Sequence, residues 1–283
     1  MQVTYTITLR VCWIKLNGWP DAFNERLEAI ATKVDEVVLI KPRNAIASNE
    51  PCPPENVEVL NIPPKRKPVL QPRARVLLYP IWIFMAVFVY LKYRVKNHRV
   101  DIIHSIDYPF SAIAARILSL LTFTPRVASV RGLPIGQFSN SKGDFDGVRD
   151  KVGKNILIFL NSFSLRNADF IITKSEYQQR HIEKMYSVNS EMESIPTGVD
   201  YSKFDPNIED DKDGTLNGIF QNIPEDRVVV LQLGQIVYRK GSDLFAERAT
   251  SYSGYPCSHF LLVGESQTEE FSKKSKKSAK IWR

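Results

Sequence analysis

The regular alternation of short apolar runs with helix-like segments constrains the fold of this chain more than any other feature. Runs rich in Val, Ile and Leu, such as "DEVVLIKP" and "VDIIHS", alternate with segments whose apolar residues recur at helical spacing, such as "PFSAIAARILSLL". Because parallel strands must be joined by crossover segments, this pattern predicts an α/β fold with doubly wound parallel sheets. Ligands of such sheets bind beyond the carboxyl ends of the strands, so we expect the chemistry in the loops that follow the strands.

Length and charge limit the domain organisation and the partners. A chain of 283 residues can form one large α/β domain or two of ordinary size. The polar, acidic stretch 207–226 predicts a linker between an N-terminal Rossmann-like domain, residues 1–206, and the start of a second Rossmann-like domain, residues 227–283. The net charge of +7 favours anionic partners. Nucleic acid is not expected, because aromatic residues do not interleave the basic clusters as a base-stacking surface requires.

The cysteines and histidines give no sign of a metal centre or a disulfide framework. The three cysteines, Cys12, Cys52 and Cys257, are far apart and form no CxxC motif, and the four histidines lack HExxH spacing. We therefore expect a reducing, cytoplasmic environment and no bound metal. The first residues lack the basic segment and apolar core of a secretory signal, so none is expected.

A run of 16 uncharged residues, "VLLYPIWIFMAVFVYL" at 76–91, has three interpretations. As a helix it would be about 24 Å long, short of the ~30 Å hydrocarbon core of a bilayer, which argues against a membrane span. It can also be a helix buried on all sides, or an interfacial helix whose basic flanks contact anionic headgroups. We expect a packed helix whose exposed face also contacts an anionic membrane surface, with the contact spread over residues 73–99.

Five stretches of the sequence carry a family resemblance. In chain order they are "VDIIHSIDYPFSAIAARIL", "ADFIITKSEYQQRHI", "IPTGVDYSKFDP", "LQLGQIVYRKGSDLF" and "FLLVGE". Together they resemble the retaining glycosyltransferases of family 4, which have the two-domain GT-B fold. The resemblance implies transfer of a sugar from a nucleotide-diphosphate sugar, such as a UDP- or GDP-sugar, to a lipid-linked or polysaccharide acceptor of the cell envelope. It also implies a metal-independent reaction without a further cofactor, and we expect it at the inner face of the plasma membrane.

The resemblance places the donor diphosphate in the loop after the strand "LQLG". The residues it assigns there are Gly234, Gln235, Arg239, Lys240 and Gly241. A glycine turn lets backbone N–H groups approach the phosphates, and the following helix N-terminus and Lys240 add positive charge. Gln235 stands where the family usually has an arginine, so one positive charge at the diphosphate is lost.

The resemblance assigns the acceptor side to loops of the first domain. Asn17 and Gly18 stand where the family usually has a glycine pair. Arg131 stands where many members place a histidine near the anomeric carbon. Because arginine stays protonated, Arg131 either donates a hydrogen bond to a sugar hydroxyl or phosphate, or forms a salt bridge at a strand end. Asp107 either accepts a hydrogen bond from a sugar hydroxyl or caps the next helix.

Two further positions complete the first domain. The resemblance assigns Thr197, Gly198 and Asp200 to the turn that connects the first domain to the second. His104 lies inside an apolar strand, so we expect a hydrogen-bonded core histidine and not a catalytic base.

The segment after Glu265 departs from the family pattern. The family continues with a Glu-x7-Glu stretch that holds the ribose and the sugar, whereas here only a surface helix is predicted, over "TEEFSKKSKKSAKIWR", after two strands. We therefore expect a C-terminally truncated second domain. The alternative function is a non-catalytic fragment or pseudoenzyme that keeps the acceptor domain and a membrane or partner contact. A dinucleotide-binding enzyme is a weaker alternative, because no GxGxxG motif follows any strand.

Overall fold

The computed structural model describes most of the chain, and the described part divides into two units. The described residues are 8–16, 22–44, 52–66, 78–96, 99–106, 108–132, 148–186, 188–198, 223, 226–234, 236, 240–251, 258–264 and 280–282. The first compact unit comprises residues 1–133 and 152–197, and the second comprises residues 134–151 and 198–283. The sequence-based boundaries at 206 and 227 stay predictions.

The first unit contains a seven-stranded sheet in which every pairing is parallel. Its strands are β1 Arg10–Ile14, β2 Glu36–Asn44, β3 Val57–Arg66, β4 Ile102–Ser105, β5 Arg126–Ser129, β6 Phe170–Thr173 and β7 Glu191–Ser194. The helices in chain order are α1 Ala22–Ala31, α2 Tyr79–Lys96, α3 Phe110–Thr122, α4 Val148–Leu165 and α5 Glu176–Tyr186, and the residues of α4 before Val152 are assigned to the second unit. The strand order is β3-β2-β1-β4-β5-β6-β7, which confirms the predicted doubly wound α/β sheet. The order reverses between β1 and β4, which is where open α/β sheets form a ligand crevice.

Both faces of this sheet are covered, because successive side chains of a strand point to opposite faces. On one face α2 and α3 pack against Cys12 and Ile14 of β1. On the other face α1 packs against Val11 and Trp13 of the same strand through Leu27. The central strands are therefore continuous apolar runs, as expected of a parallel sheet with helices on both faces.

Helix α2 contains most of the uncharged run and packs through one side only. Its buried residues, Trp82, Ala86, Tyr90 and Tyr93, form one stripe at helical spacing. Phe84 and Phe88 lie on another side and are 68% and 54% exposed. The expectation of a packed helix with an exposed apolar face is therefore confirmed, and its membrane contact stays a prediction. Among the described residues, no helix has both the length and the hydropathy that a membrane span requires.

A buried arginine ties the start of β5 to the end of α4. The Arg126 guanidinium donates to the carbonyl oxygens of Ser164 at 2.6 Å and Arg166 at 2.9 Å. Carbonyl groups at a helix C-terminus have no partner within the helix, so a cation there is stabilising. Desolvation of this side chain lowers the pKa of Arg126 to about 10. The contact fixes the strand that leads to Arg131.

The second unit contains a parallel sheet with three described strands and one described helix. These are β8 Val228–Leu233, β9 Ser258–Val263, β10 Lys280–Trp282 and α6 Ser242–Ser251, with the strands in the order β10-β9-β8. The prediction of a helix continuing to the last residues after only two strands was wrong, because Ile281 pairs with Leu262 in a third parallel strand. Ile281 and Trp282 are residue types that fit a pleated, half-buried surface, which explains why a strand forms there.

Candidate functional site

The carboxyl ends of β4, β5 and β6 form one edge of the first unit's sheet. The pairing is in register, with His104 opposite Val127 and Ser129 opposite Ile172. It continues past the strand ends, because the Val130 N–H donates to the Ile172 carbonyl at 2.8 Å. Residues just after these strands therefore lie side by side at the edge where ligands of such sheets bind.

His104 lies at this edge as a neutral, hydrogen-bonded side chain. Its Nε2 atom shares a 2.7 Å hydrogen bond with Ser129 Oγ, and its ring packs edge-on against Trp13 at a centroid distance of 5.6 Å. Desolvation, and then the positive charge of Arg131, lower the pKa of His104 to about 4. His104 is therefore uncharged at neutral pH, and the prediction of a hydrogen-bonded core histidine is confirmed.

Three cationic side chains are brought to the same edge from three elements. Arg131 follows β5, Lys174 follows β6, and Arg26 reaches the edge from α1. Arg26 Nη2 donates to Thr197 Oγ1 at 3.0 Å. Desolvation lowers the pKa of Lys174, and the charges of Arg131 and Arg26 lower it further, so both guanidinium groups lie within electrostatic reach of its ammonium group. Three cationic side chains therefore lie at this edge of the sheet.

In the second unit, two glycines meet at the carboxyl ends of β8 and β9. Gly234 has φ 130° and Gly264 has φ 150°, a region that residues with a side chain rarely adopt. The Gly234 N–H donates to the Val263 carbonyl at 2.9 Å. A Cβ atom on Gly264 would lie only 1.8 Å from the Gly234 carbonyl oxygen. The contact between these two loops therefore requires glycine at position 264.

The loop after β8 leads into the N-terminus of α6. Gln232 Nε2 donates to the Lys240 carbonyl at 2.8 Å and to Ser242 Oγ at 3.4 Å, which ties the loop to the strand. Gly241 has φ 69° and accepts a hydrogen bond from the Phe245 N–H at 2.9 Å. The first N–H groups of a helix lack partners within the helix and can bind an anion. The exposed Lys240 adds a positive charge beside them.

Comparison with known proteins identifies the family. The model for Glycosyltransferase Family 4 matches residues 28–203. The chain belongs to Glycosyltransferase Family 4. No curated protein matches it in sequence. The matched range of this family 4 chain includes Arg131, Lys174 and Thr197 and ends before Gly234.

Solved structures share the fold of this family 4 chain at low sequence identity. Sucrose-phosphate synthase from Thermosynechococcus elongatus has a TM-score of 0.70 at 16% identity, over 97% of this chain and 70% of that one. A glycosyltransferase from Rickettsia africae has a TM-score of 0.60 at 14% identity, over 97% of this chain and 68% of that one. Anabaena HepE in complex with UDP has a TM-score of 0.55 at 14% identity, over 96% of this chain and 68% of that one. The predicted GT-B-like α/β fold is confirmed.

The structure describes about half of the residues that the family 4 resemblance assigned to the site. Arg131 and Thr197 lie in the first unit, and Gly198 lies in the second. Gly234, Lys240 and Gly241 lie in the loop between β8 and α6. A Cβ atom on the exposed Gly198 would have nothing within 4 Å, so packing among the described residues does not require glycine there. The residues that lie outside the described part are Asn17, Gly18, Asp107, Asp200, Gln235 and Arg239, and their roles stay predictions.

Sequence reasoning missed three residues that shape this site in the family 4 chain. Lys174 directly follows β6, so the rule that ligands bind beyond strand ends could have indicated it. Gly264 ends "FLLVG" as Gly234 ends "LQLG", a repeated strand-end glycine that is typical of close backbone approach. Arg26 lies on a helix face, and no local pattern indicates its contact with Thr197. Within the described residues, no group of His, Cys, Asp or Glu is arranged to hold a metal ion.

Proposed function

We propose that this chain is a retaining, metal-independent glycosyltransferase that takes a sugar from a nucleotide-diphosphate sugar and passes it to a lipid-linked or polysaccharide acceptor. The observation that carries the donor assignment is the glycine pair Gly234 and Gly264 beside the N-terminus of α6. Backbone without side chains, next to unpaired helix N–H groups, is a surface that a diphosphate can approach closely. The UDP bound to Anabaena HepE supports a UDP-sugar as the donor class.

The proposed catalytic step depends on fixed positive charge at the leaving diphosphate. Negative charge grows on the leaving oxygen as the bond to the sugar breaks. Lys240 and the first N–H groups of α6 interact more strongly with this developing charge than with the ground state, so they lower the barrier. Asp243 lies in the first turn of α6 and opposes the effect with one negative charge.

Titration calorimetry with UDP and GDP tests the donor site. We expect Lys240→Ala to weaken nucleotide binding about tenfold or more, since it removes a charge-assisted hydrogen bond. Asp243→Asn should strengthen binding a few-fold, because it removes a negative charge from the helix N-terminus. Lys184→Ala, at an exposed lysine of α5, is the matched control. Wild-type protein without nucleotide affinity, or equal affinities for all variants, would contradict the proposal.

The reaction type is tested with UDP-glucose and GDP-mannose on membrane extracts that supply acceptor. Activity that survives excess EDTA would support metal independence. Proton NMR of the isolated product gives the anomeric configuration, and retention requires the α configuration present in both donors. A β-linked product would exclude the retaining mechanism.

A non-catalytic chain that keeps the acceptor-side unit is the second candidate. The observation that favours it is the exposed apolar surface of β8, where Leu231 and Leu233 are 51% and 74% exposed. A sheet with so little cover among the described residues holds its loops less firmly than the sheet of the first unit. Folded protein that binds neither UDP nor GDP would support this candidate over the transferase.

We also propose that α2 makes a peripheral contact with a membrane surface. Phe84 and Phe88 project from the same side of the helix, and Lys92 and Lys96 are exposed one and two turns further on. Exposed aromatic rings beside lysines suit an anionic headgroup region. We expect co-sedimentation with phosphatidylglycerol vesicles, reduced by Phe84→Ser with Phe88→Ser. Tyr177→Ser, at an exposed aromatic residue of α5, is the control, and equal losses in both variants would contradict the contact.

A further inference from the structure

We infer that Gln232 is a positioning residue of the donor site: its side-chain amide holds the turn at residues 240–242 so that Lys240 and the N-terminus of α6 face the leaving diphosphate. The inference rests on the proposed transferase function. It adds a residue that lies outside the phosphate-binding loop and acts through that loop, without touching the nucleotide.

Gln232 is a polar residue in a strand that otherwise consists of Val and Leu, "VVVLQL". It pairs in register with Leu262 of β9, so both side chains point to the same face of the sheet. On that face Leu262 packs against Ile236 and against Phe245 of α6. The amide of Gln232 therefore lies at the apolar contact between the second sheet and α6, where a polar group without hydrogen bonds is unfavourable.

This amide ties both sides of a glycine turn to the strand. Its Nε2 atom donates to the Lys240 carbonyl at 2.8 Å and to Ser242 Oγ at 3.4 Å, and Ser242 is fully buried. Between these two residues Gly241 has φ 69°, and its carbonyl accepts a hydrogen bond from the Phe245 N–H at 2.9 Å in the first turn of α6. One side chain of β8 therefore fixes both Lys240 and the start of the helix.

The oxygen of the same amide shows that sheet stability does not explain the glutamine. The Lys240 carbonyl can only accept a hydrogen bond, so the NH₂ group must face it and Oε1 must point away. Oε1 is buried, and none of the described residues donates to it. A buried acceptor without a donor lowers stability, and methionine, which is similar in length, would avoid this cost. Residues that break a local rule in this way are expected at functional sites.

The consequence for the reaction is that the positive charge is placed in advance. Positive groups promote departure of the diphosphate when they are already fixed where its negative charge develops. A turn centred on glycine can adopt several backbone conformations, and the two hydrogen bonds from Gln232 select one of them before the nucleotide binds. Less ordering of the loop is then required during binding and reaction.

Calorimetry with UDP, and with uridine as a competitor of UDP, tests the inference on Gln232→Met. We expect UDP affinity to fall about tenfold and uridine affinity to stay unchanged, because only UDP carries the diphosphate. The midpoint of urea unfolding should be equal or higher, because the variant removes the unbonded Oε1. Gln179→Met, at a glutamine of α5 that contacts Glu183 on the surface, is the matched control and should change neither affinity.

A double-mutant cycle tests whether Gln232 acts through Lys240. In a Lys240→Ala background, Gln232→Met should weaken UDP binding less than about threefold. Unchanged UDP affinity in Gln232→Met, an equal loss of uridine affinity, or the full loss in the absence of Lys240 would overturn the inference and leave the proposed function standing. Wild-type protein that does not bind UDP would overturn both.

Discussion

Strands β1 and β8 are both mainly apolar but have very different surroundings. Each opens a parallel sheet, is rich in apolar residues, and leads into a loop followed by a helix. In β1 the residues from Val11 to Ile14 are all buried, and the strand pairs with β2 on one side and β4 on the other. In β8 the described pairing is with β9 alone, and Leu231 and Leu233 are exposed.

The difference shows what an apolar run indicates about how fully a strand is covered. A strand buried on both faces is typically a continuous apolar run, and β8, "VVVLQL", is apolar except for Gln232. The described residues cover β1 on both faces and leave one face of β8 open. The described pairing of β8 also leaves one edge of the strand free. A free apolar strand edge is a surface on which a further strand or another chain can pair. The sequence of β8 is therefore adapted to more cover than the described residues supply.

The largest expected effect is a loss of packing in the covered sheet. Leu39 of β2 is fully buried in the first unit. Leu39→Ala should lower the free energy of unfolding by about 4 kcal/mol, because it removes apolar contacts and leaves a cavity. Leu231→Ala removes the same atoms from a half-exposed site and should cost less than about 1 kcal/mol. Urea unfolding followed by tryptophan fluorescence measures both, and equal losses would remove the contrast between the two sheets.

Much of the fold could be predicted from the sequence because it depends on local patterns. The runs "VDIIHS" and "DFIITKS" became β4 and β6, and Ser175 caps the helix that begins at Glu176. Strand β10 could not be predicted, because three residues after a polar helix-like stretch form a strand only by pairing with β9. The local sequence of residues 280–282 does not indicate which strand they pair with.

The candidate site was predictable where the strand ends determine it. Arg131, Gly234 and Lys240 follow strands, and the structure places them at carboxyl edges as that rule requires. The contact of Arg26 with Thr197 joins positions 171 residues apart in the chain. Only the packing of α1 over the sheet brings them together, so no pattern within either segment reveals it.

The second prediction concerns the glycine contact that holds the loops of the less covered sheet. Gly264→Ala places a methyl group against the Gly234 carbonyl and forces a side chain into φ 150°. We expect a loss of about 3 kcal/mol from the second unit, seen as faster hydrogen exchange of β8 and β9 amides. Gly132→Ala is the control, because a Cβ atom there meets nothing within 4 Å. Unchanged exchange in Gly264→Ala would mean that the two loops do not touch.

The third prediction uses His104 as a pH probe of the covered sheet. The pKa of His104 is about 4 in the folded protein and 6.5 in its ordinary range, so the unfolded chain binds an extra proton between these values. The stability that neutral His104 provides is therefore complete above pH 6.5 and falls by about 3 kcal/mol as the pH decreases towards 4. The difference in unfolding free energy between wild type and His104→Asn should follow this curve. A difference independent of pH would show that the pKa of His104 is the same in the folded and unfolded states.

The smallest expected effect is at Leu233, which ends the apolar run of β8 and is 74% exposed. Leu233→Lys should change the free energy of unfolding by less than about 0.5 kcal/mol, because the side chain loses little buried area. The substitution should also raise the concentration at which the protein aggregates, since charge on an open strand disfavours pairing between chains. Leu39→Lys in the covered sheet should prevent folding. If Leu233→Lys instead costs more than about 2 kcal/mol, this face of β8 is covered in solution, and the contrast in burial between β1 and β8 is removed.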